Sequence, residues 1–498
     1  RVNFDLRERR IYSHAVGVLP KLIKSIIGAA TAAAVVQPKT EQELIELVKW
    51  ANQHKVPLVP RAKATSGYGG VMPVKGGLSV DLHRLRQILE IDGESMTARV
   101  RPSVVWEGLE RELEKQGLAL RTYPSSAPSS TVGGWLAQGG VGYGCYEYGA
   151  FRESVVSARV ELPNGEVRTF EGDELSLISD AEGITGFITE VTIKLREVTK
   201  DRLWAVRFSS ADDLAAAVQD LLSSETPLWS VSFINPTMAR LRNQLPPKLE
   251  NGHPVDEHRP TMPDGYVSLR VAPAARWAEA EARIGQIIEN HGGALLDREI
   301  AMHEWDERFN LMHVKRLGPS LLPSEVVVPL KGLAQVLDRI EQAVQLPLVL
   351  EGMVSDDGNV TLLGFIPHDE RTLGYNMAFG LALTVCKIAE EQGGHPYATG
   401  CFFARMADAV LGAERVRQLR AFKSEVDPNG IMNPGKVLGN GLIDVFMGLA
   451  RTFEPAIRVM GNSFASPTEE RIPGQGKRGI PDDVAWYAYA CAQCGYCV

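Results

Sequence analysis

Cysteine is scarce, with six in 498 residues. That is too few to staple a chain of this size through disulfides, which points to a reducing, cytoplasmic setting. No apolar run approaches the ~20 residues that span a bilayer. The longest, Ser25–Val36, is short, alanine-rich and without the start and cleavage pattern of a signal peptide. A basic excess is missing too. With a net charge of -8, neither nucleic acid nor an anionic membrane surface has an electrostatic reason to bind.

What the chain does have is enough length for two or three domains with buried cores, and an alternation of strands with helices. In "TEQELIELVKWANQHKVPLVPRA" (Thr40–Ala62), Thr40 and Glu43 form a capping box. Leu44, Leu47, Val48 and Ala51 then repeat at helical spacing, and a short strand follows. "VVSARVELPNGEVRTF" predicts a strand pair around an Asn164-Gly165 turn. These signals place a first α+β domain over residues 1–200. From Leu203 each strand precedes an amphipathic helix, predicting a second α+β domain over 201–440 with its helices on one face of a sheet. A linker with a short helix covers 441–485, and 486–498 opens a separate module. The sequence begins at Arg1 rather than Met and stops inside a cysteine motif, so the native chain is expected to continue past both ends.

Two glycine-rich loops stand out in the first domain: "PLVPRAKATSGYGG" (Pro57–Gly70) and "YPSSAPSSTVGGWLAQGGVGYGCYEYG" (Tyr123–Gly149). Loops of Gly, Ser and Thr present backbone N–H groups and small hydroxyls to a pyrophosphate. Neither contains a GxGxxG opening a helix after a strand, nor a GxxxxGKS/T, so nicotinamide-type Rossmann and P-loop readings are poor.

With "AAAVVQPKTEQELIELVKWANQHKVPLVPRA", the loop containing "TVGG", the strand "EGITGFITEVTIKL" and the terminal "DPNGIMNPGKVLG", the chain resembles the FAD-linked oxidases of the vanillyl-alcohol-oxidase (PCMH) type. Within them it resembles the glycolate oxidase and D-lactate dehydrogenase branch, up to about residue 440. The resemblance implies a PCMH-type FAD-binding domain followed by a ferredoxin-like α+β cap that handles substrate. It also implies where FAD would lie. Pro60, Arg61, Ala62, Lys63, Ala64, Thr65, Ser66, Gly69 and Gly70 would wrap the pyrophosphate. Pro124, Ser125, Ser126, Thr131, Val132, Gly133, Gly134, Gly139, Gly140, Gly142, Tyr148 and Gly149 would line the rest. Gly183, Ile184, Gly186 and Ile188 would follow the ribose and adenine half, and Asn433 and Lys436 would close over the flavin. Some relatives attach flavin through a His near the first loop; Lys63 occupies that region here, so non-covalent FAD is expected. Cys145, in the second loop, reads as a small buried thiol.

The 2-hydroxy-acid members carry a GNxH and an EHG segment that hold a divalent metal or polarise the substrate. Thr361 stands where the first has its His, and Thr399 and Gly400 stand for the Glu and His of the second. His368, His395, Tyr397 and Tyr375 are the remaining candidates for moving the proton. Arg308 matches a family arginine that pairs with a substrate carboxylate, a task suited to its forked donors; a helix arginine paired with Glu304 is the competing reading.

Half of the thiols crowd at the C-terminus. Cys491, Cys494 and Cys497 make C-x2-C-x2-C, the opening of a bacterial ferredoxin run whose fourth ligand would fall beyond Val498. A 4Fe–4S cluster is favoured over zinc, whose pairs are usually separated. The expected function is FAD-dependent oxidation of a small organic, 2-hydroxy acid, with electrons passing to the cluster and a protein acceptor in a multi-subunit complex. The alternative is an electron-transfer subunit without its own small-molecule substrate; a scaffold with a vestigial flavin site is a third reading, disfavoured by the intact NPGK and YG elements.

Overall fold

The computed structural model describes residues 1–15, 31–245, 249–250, 253–254, 259–317, 320–370, 372–439 and 441–464. The terminal cysteines and their linker lie outside the described residues. Two compact units result. One comprises Arg1–Val198 with Pro396–Leu449; the other comprises Thr199–His395 with the described residues from Ala450 onward.

The first unit carries two sheets. In the smaller, Ala34–Val36, Leu78–Asp81 and Leu58–Arg61 run parallel, with Val2–Asn3 added antiparallel at one edge. Helix Glu41–His54 covers it. Thr40 accepts the Glu43 N–H at 3.2 Å, while the Glu43 carboxylate reaches back to Lys39 N at 2.7 Å, one residue before the reciprocal capping bond would fall. Leu44, Val48 and Ala51 are buried against Leu58, Val80, Phe187, Ile431 and Met432, with Leu47 at the margin. The larger sheet is antiparallel, in the order Ile88–Asp92, Thr97–Val100, Phe187–Glu197, Val155–Glu161, Val167–Glu171. Its last pair is the hairpin expected at Asn164-Gly165, where Gly165 has φ 87°.

Glu161 ends its strand fully buried, with neither side-chain oxygen hydrogen-bonded among the described residues. Burial pushes its carboxyl up to about 7, partly opposed by Lys49 and Arg159. Because the native state keeps this proton after the unfolded chain has released it, the stabilisation is complete below the unfolded pKa. It is lost as pH rises through about 7. Glu161→Gln should therefore raise the melting temperature at roughly pH 8 and change it little at roughly pH 5. Equal shifts at both values would show that the carboxyl is not protonated in the fold.

The second unit is built on a nine-stranded sheet whose assigned pairs are antiparallel. Helices Ala211–Ser223, Trp277–Asn290, Leu333–Ala343 and Leu381–Glu391 pack against one another in a layer. Register places Ser232, Met353 and Thr361 side by side on three neighbouring strands. Side chains alternate along a strand, so Glu351 points to the same side as Met353. Cys145, Cys386 and Cys401 are buried thiols. No described helix is long and apolar enough to cross a membrane.

Candidate functional site: a cofactor cradle

The first glycine-rich loop leaves strand Leu58–Arg61 and runs without regular structure to Gly70. Among the described residues, the backbone N–H groups of Ala62, Ala64, Thr65, Ser66 and Gly67 donate to no protein acceptor. Ala64 adopts φ 55°, which curls this run of donors. A curled row of undonated amides is the concave arrangement that holds an anion, and it fits the pyrophosphate of FAD. The residues present therefore suit the cofactor. Arg61 contributes differently from expectation: its guanidinium donates to Tyr12 O at 3.2 Å and His14 O at 2.7 Å, with Asp81 close by, so it braces the N-terminal segment.

The second loop is organised differently from the first. Gly133, Gly134, Gly139 and Gly142 donate their N–H groups to Pro102 O, Thr131 Oγ1, Trp135 O and Cys145 Sγ respectively. Those glycines are not phosphate donors. They permit close packing: a Cβ on Gly133 would meet Pro102 at 2.4 Å, and one on Gly142 would meet Tyr123 O at 2.2 Å. The N–H groups left without a protein acceptor among the described residues here include those of Ser125, Ser126, Thr131, Gly140 and Gly144. Thr131 caps the short helix Val132–Gln138, and Tyr148 lies 5.1 Å under the Arg121 guanidinium. Cys145 is buried, as expected for a small packed thiol.

Pro396–Leu449 brings further candidates to these loops. The Tyr397 hydroxyl accepts the Val141 N–H at 3.3 Å and lies where a Cβ on Gly140 would fall. Asn433 donates to Gly70 O at 3.0 Å and to Glu182 O at 2.6 Å; Lys436 donates to Met72 O at 2.6 Å. Gly183, with φ 70°, packs against Pro60, while Ile184 and Ile188 are buried. Gly186 lies against Glu161 O.

Gly400 has φ 49°, and a Cβ there would meet Tyr68 O at 2.0 Å. The position demands glycine. In the second unit, Thr361 is fully buried opposite Met353, with no hydrogen bond to its hydroxyl among the described residues. None of Thr361, Thr399 and Gly400 carries an imidazole or a carboxylate.

His368 is buried against Tyr375, with ring centroids 5.8 Å apart. Its Nδ1 accepts the Asp369 N–H at 2.7 Å, which puts the proton on Nε2, and burial pulls the imidazole pKa down. In this arrangement the neutral ring offers a donor at Nε2 rather than a lone pair. His395 is half-buried on the two-residue strand His395–Pro396. Arg308 does not pair with Glu304, whose carboxylate is held by Arg242. Instead its guanidinium lies 4.0 Å from the Trp305 ring and 4.3 Å from that of Phe309, donating to Trp305 O at 2.6 Å. Reasoning from sequence missed Glu182 and Cys401; the signal for Glu182 was an acid opening the mostly apolar "EGITGFI".

Comparison with known proteins agrees with this geometry. Residues 32–171 match the family described as FAD binding domain, and residues 199–437 match that of FAD linked oxidases, C-terminal domain. The mitochondrial D-lactate dehydrogenase (cytochrome) of Arabidopsis thaliana is 27% identical over 427 residues, 81% of this chain and 73% of that protein. Glycolate oxidase subunit GlcD of Bacillus subtilis is 27% identical over 426 residues, 81% and 88% of the two chains. In fold, the chain is similar to p-cresol methylhydroxylase with substrate bound, at TM-score 0.73 and 19% identity, covering 88% of this chain and 94% of that one. It is similar also to the 4-ethylphenol oxidase of Gulosibacter chungangensis, at TM-score 0.72 and 17% identity, with the same coverage. The chain is thus an FAD-linked oxidoreductase that carries an FAD binding domain followed by the C-terminal domain of the FAD linked oxidases.

Proposed function

We propose that the protein is an FAD-dependent dehydrogenase that oxidises a small 2-hydroxy acid and passes the electrons to an iron–sulfur protein. The observation that carries this reading is the curled row of amides of Ala62, Ala64, Thr65, Ser66 and Gly67, within a chain similar to a D-lactate dehydrogenase and a glycolate oxidase subunit. FAD, when bound, supplies the two-electron acceptor. The chain's own residues do the rest. The first loop holds the pyrophosphate, and Ser125, Ser126 and Gly140 add donors from the second. Arg308, with its plane fixed by two aromatic rings, takes the substrate carboxylate. Tyr397, whose hydroxyl is oriented by Val141 N–H, handles the hydroxyl proton in place of His368. We read the nine-stranded sheet with its helix layer as the ferredoxin-like cap. Cys491, Cys494 and Cys497 would hold a 4Fe–4S cluster, which would supply a one-electron acceptor.

A specific observation favours a second reading. Thr361, Thr399 and Gly400 leave the places where the 2-hydroxy-acid enzymes resembling this chain bind metal or polarise substrate without imidazole or carboxylate. An electron-relay subunit without a small substrate needs neither. Anaerobic mixing decides between the two: glycolate or D-lactate should bleach the bound flavin, whereas bleaching only by a reduced iron–sulfur protein would establish the relay. Acid precipitation should first release all the yellow colour. Pigment retained in the pellet would overturn non-covalent binding.

A further inference from the structure

Four separate stretches of the first unit converge on one carboxylate that the proposed chemistry does not use. Glu182 Oε1 accepts the Gly400 N–H at 2.7 Å. Its Oε2 lies against Gly70, where an added Cβ would stand 2.0 Å away. Through its backbone carbonyl the same residue receives Asn433 Nδ2, which also donates to Gly70 O. Lys436 and the Cys401 thiol complete the group, and Cys401 N donates to Tyr68 O at 3.0 Å. All of these side chains are buried. Glu182 is itself held at φ 46°, a conformation that costs an ordinary residue ~1 kcal/mol or more.

Burying a carboxylate and straining its backbone is unfavourable unless the group organises something else. What this one joins is clear from its partners. The end of the first loop (Tyr68–Met72), the segment before Gly183, the turn at Gly400 and the "NPGK" run are far apart in sequence and share this single node. Immediately upstream of Gly69 and Gly70 lies the row of undonated amides.

We propose that Glu182 is the positioning residue of the cofactor loop: by holding the Gly400 turn against Gly70, it fixes the amides of Ala62 and Ala64–Gly67 in their curled form before FAD arrives. The inference rests on the FAD reading above. Pre-arranged donors bind without having to be ordered by the ligand, so loosening the node weakens binding while leaving every phosphate donor in place.

The test uses the full chain stripped of flavin and titrated with FAD. Glu182→Ala removes the acceptor from a buried N–H and should weaken FAD binding by at least ~10-fold. Glu182→Gln keeps an acceptor oxygen and the shape, and should stay within ~3-fold of the wild type. Gly70→Ala, whose added methyl has three Glu182 atoms as its nearest neighbours with Oε2 at 2.0 Å, should weaken binding like Glu182→Ala. Added to Glu182→Ala, it should cost nothing further. This cycle of affinities also answers the question if one variant folds poorly, because each affinity is read beside the melting temperature of its own apoprotein. Wild-type affinity in Glu182→Ala, a Gln variant as impaired as the Ala variant, or simple additivity with Gly70→Ala would each overturn the positioning role. Failure of the wild type itself to bind FAD would instead remove the reading on which it rests.

Discussion

Replacing Gly139 with alanine should leave a protein that no longer holds FAD and melts at least ~5 °C lower. The backbone there has φ 76°, and an ideal Cβ would stand 1.4 Å from Asp180 Oδ1 and 2.3 Å from its Cγ. Asp180 cannot easily yield. Its other oxygen accepts from Arg415 at 3.0 Å and from Ser179 Oγ at 2.8 Å, and its own N–H donates to Leu136 O. The variant combines a left-handed backbone, costing ~1 kcal/mol or more, with the loss of a half-buried ion pair. A total near ~3 kcal/mol lowers the melting temperature of the first unit, about 250 residues, by ~6 °C or more. Because Gly139 begins the turn that presents the Gly140 N–H and packs beside Tyr397, binding fails together with stability. Thermal melts of the apoprotein and an FAD titration check both parts. Wild-type affinity with only a small change in melting would mean that Asp180 swings aside without disturbing the loop.

Arg242→Met should be comparably severe in the second unit. Arg242 and Glu304 form an ion pair whose side chains are 8% and 6% exposed, and Arg242 also faces Glu351 and Glu307. Removing the cation leaves buried carboxylates facing one another without a counter-charge, a change that costs ~3–5 kcal/mol. Glu307, held down at about 2 chiefly by His313 against the opposing effect of burial, is not the group that would readily take up a proton. The urea midpoint should fall markedly at neutral pH and recover in part when Glu304→Leu is added, because the double change removes both charges. If the double variant were no more stable than Arg242→Met alone, the pair would not be the source of the loss.

Several features were legible because the forces behind them act between near neighbours. The helix Glu41–His54 follows from apolar spacing and a threonine cap, and the hairpin after Glu161 follows from Asn164-Gly165. Both glycine-rich loops could be picked out by composition. Their division of labour could not. Gly133, Gly134, Gly139 and Gly142 look like donors in sequence, yet their N–H groups are taken by local partners. The offset between Glu43 and its expected cap partner is a similar small displacement, set by how the chain enters the helix.

Charge partners were the least legible. Glu304 lies four residues from Arg308, a spacing that suggests a helix pair, but burial gave Glu304 to Arg242, 62 residues away. His368 looked like a spare base; only the direction of the Asp369 N–H revealed a neutral donor.

The sequence by itself determined the two domains' chemistry and order, the loop that offers amides to a pyrophosphate, and the departures at Thr361 and Thr399. It did so because loop composition, periodicity and residue type are properties of short stretches. Tertiary structure alone decided that Tyr397, Gly400, Asn433 and Lys436 return to the loops near Gly70 and Gly140, up to 364 residues distant in sequence. It also decided that Glu182 joins them. A buried polar group takes whichever partner the packed core brings within reach, and no local rule states which distant segment that will be.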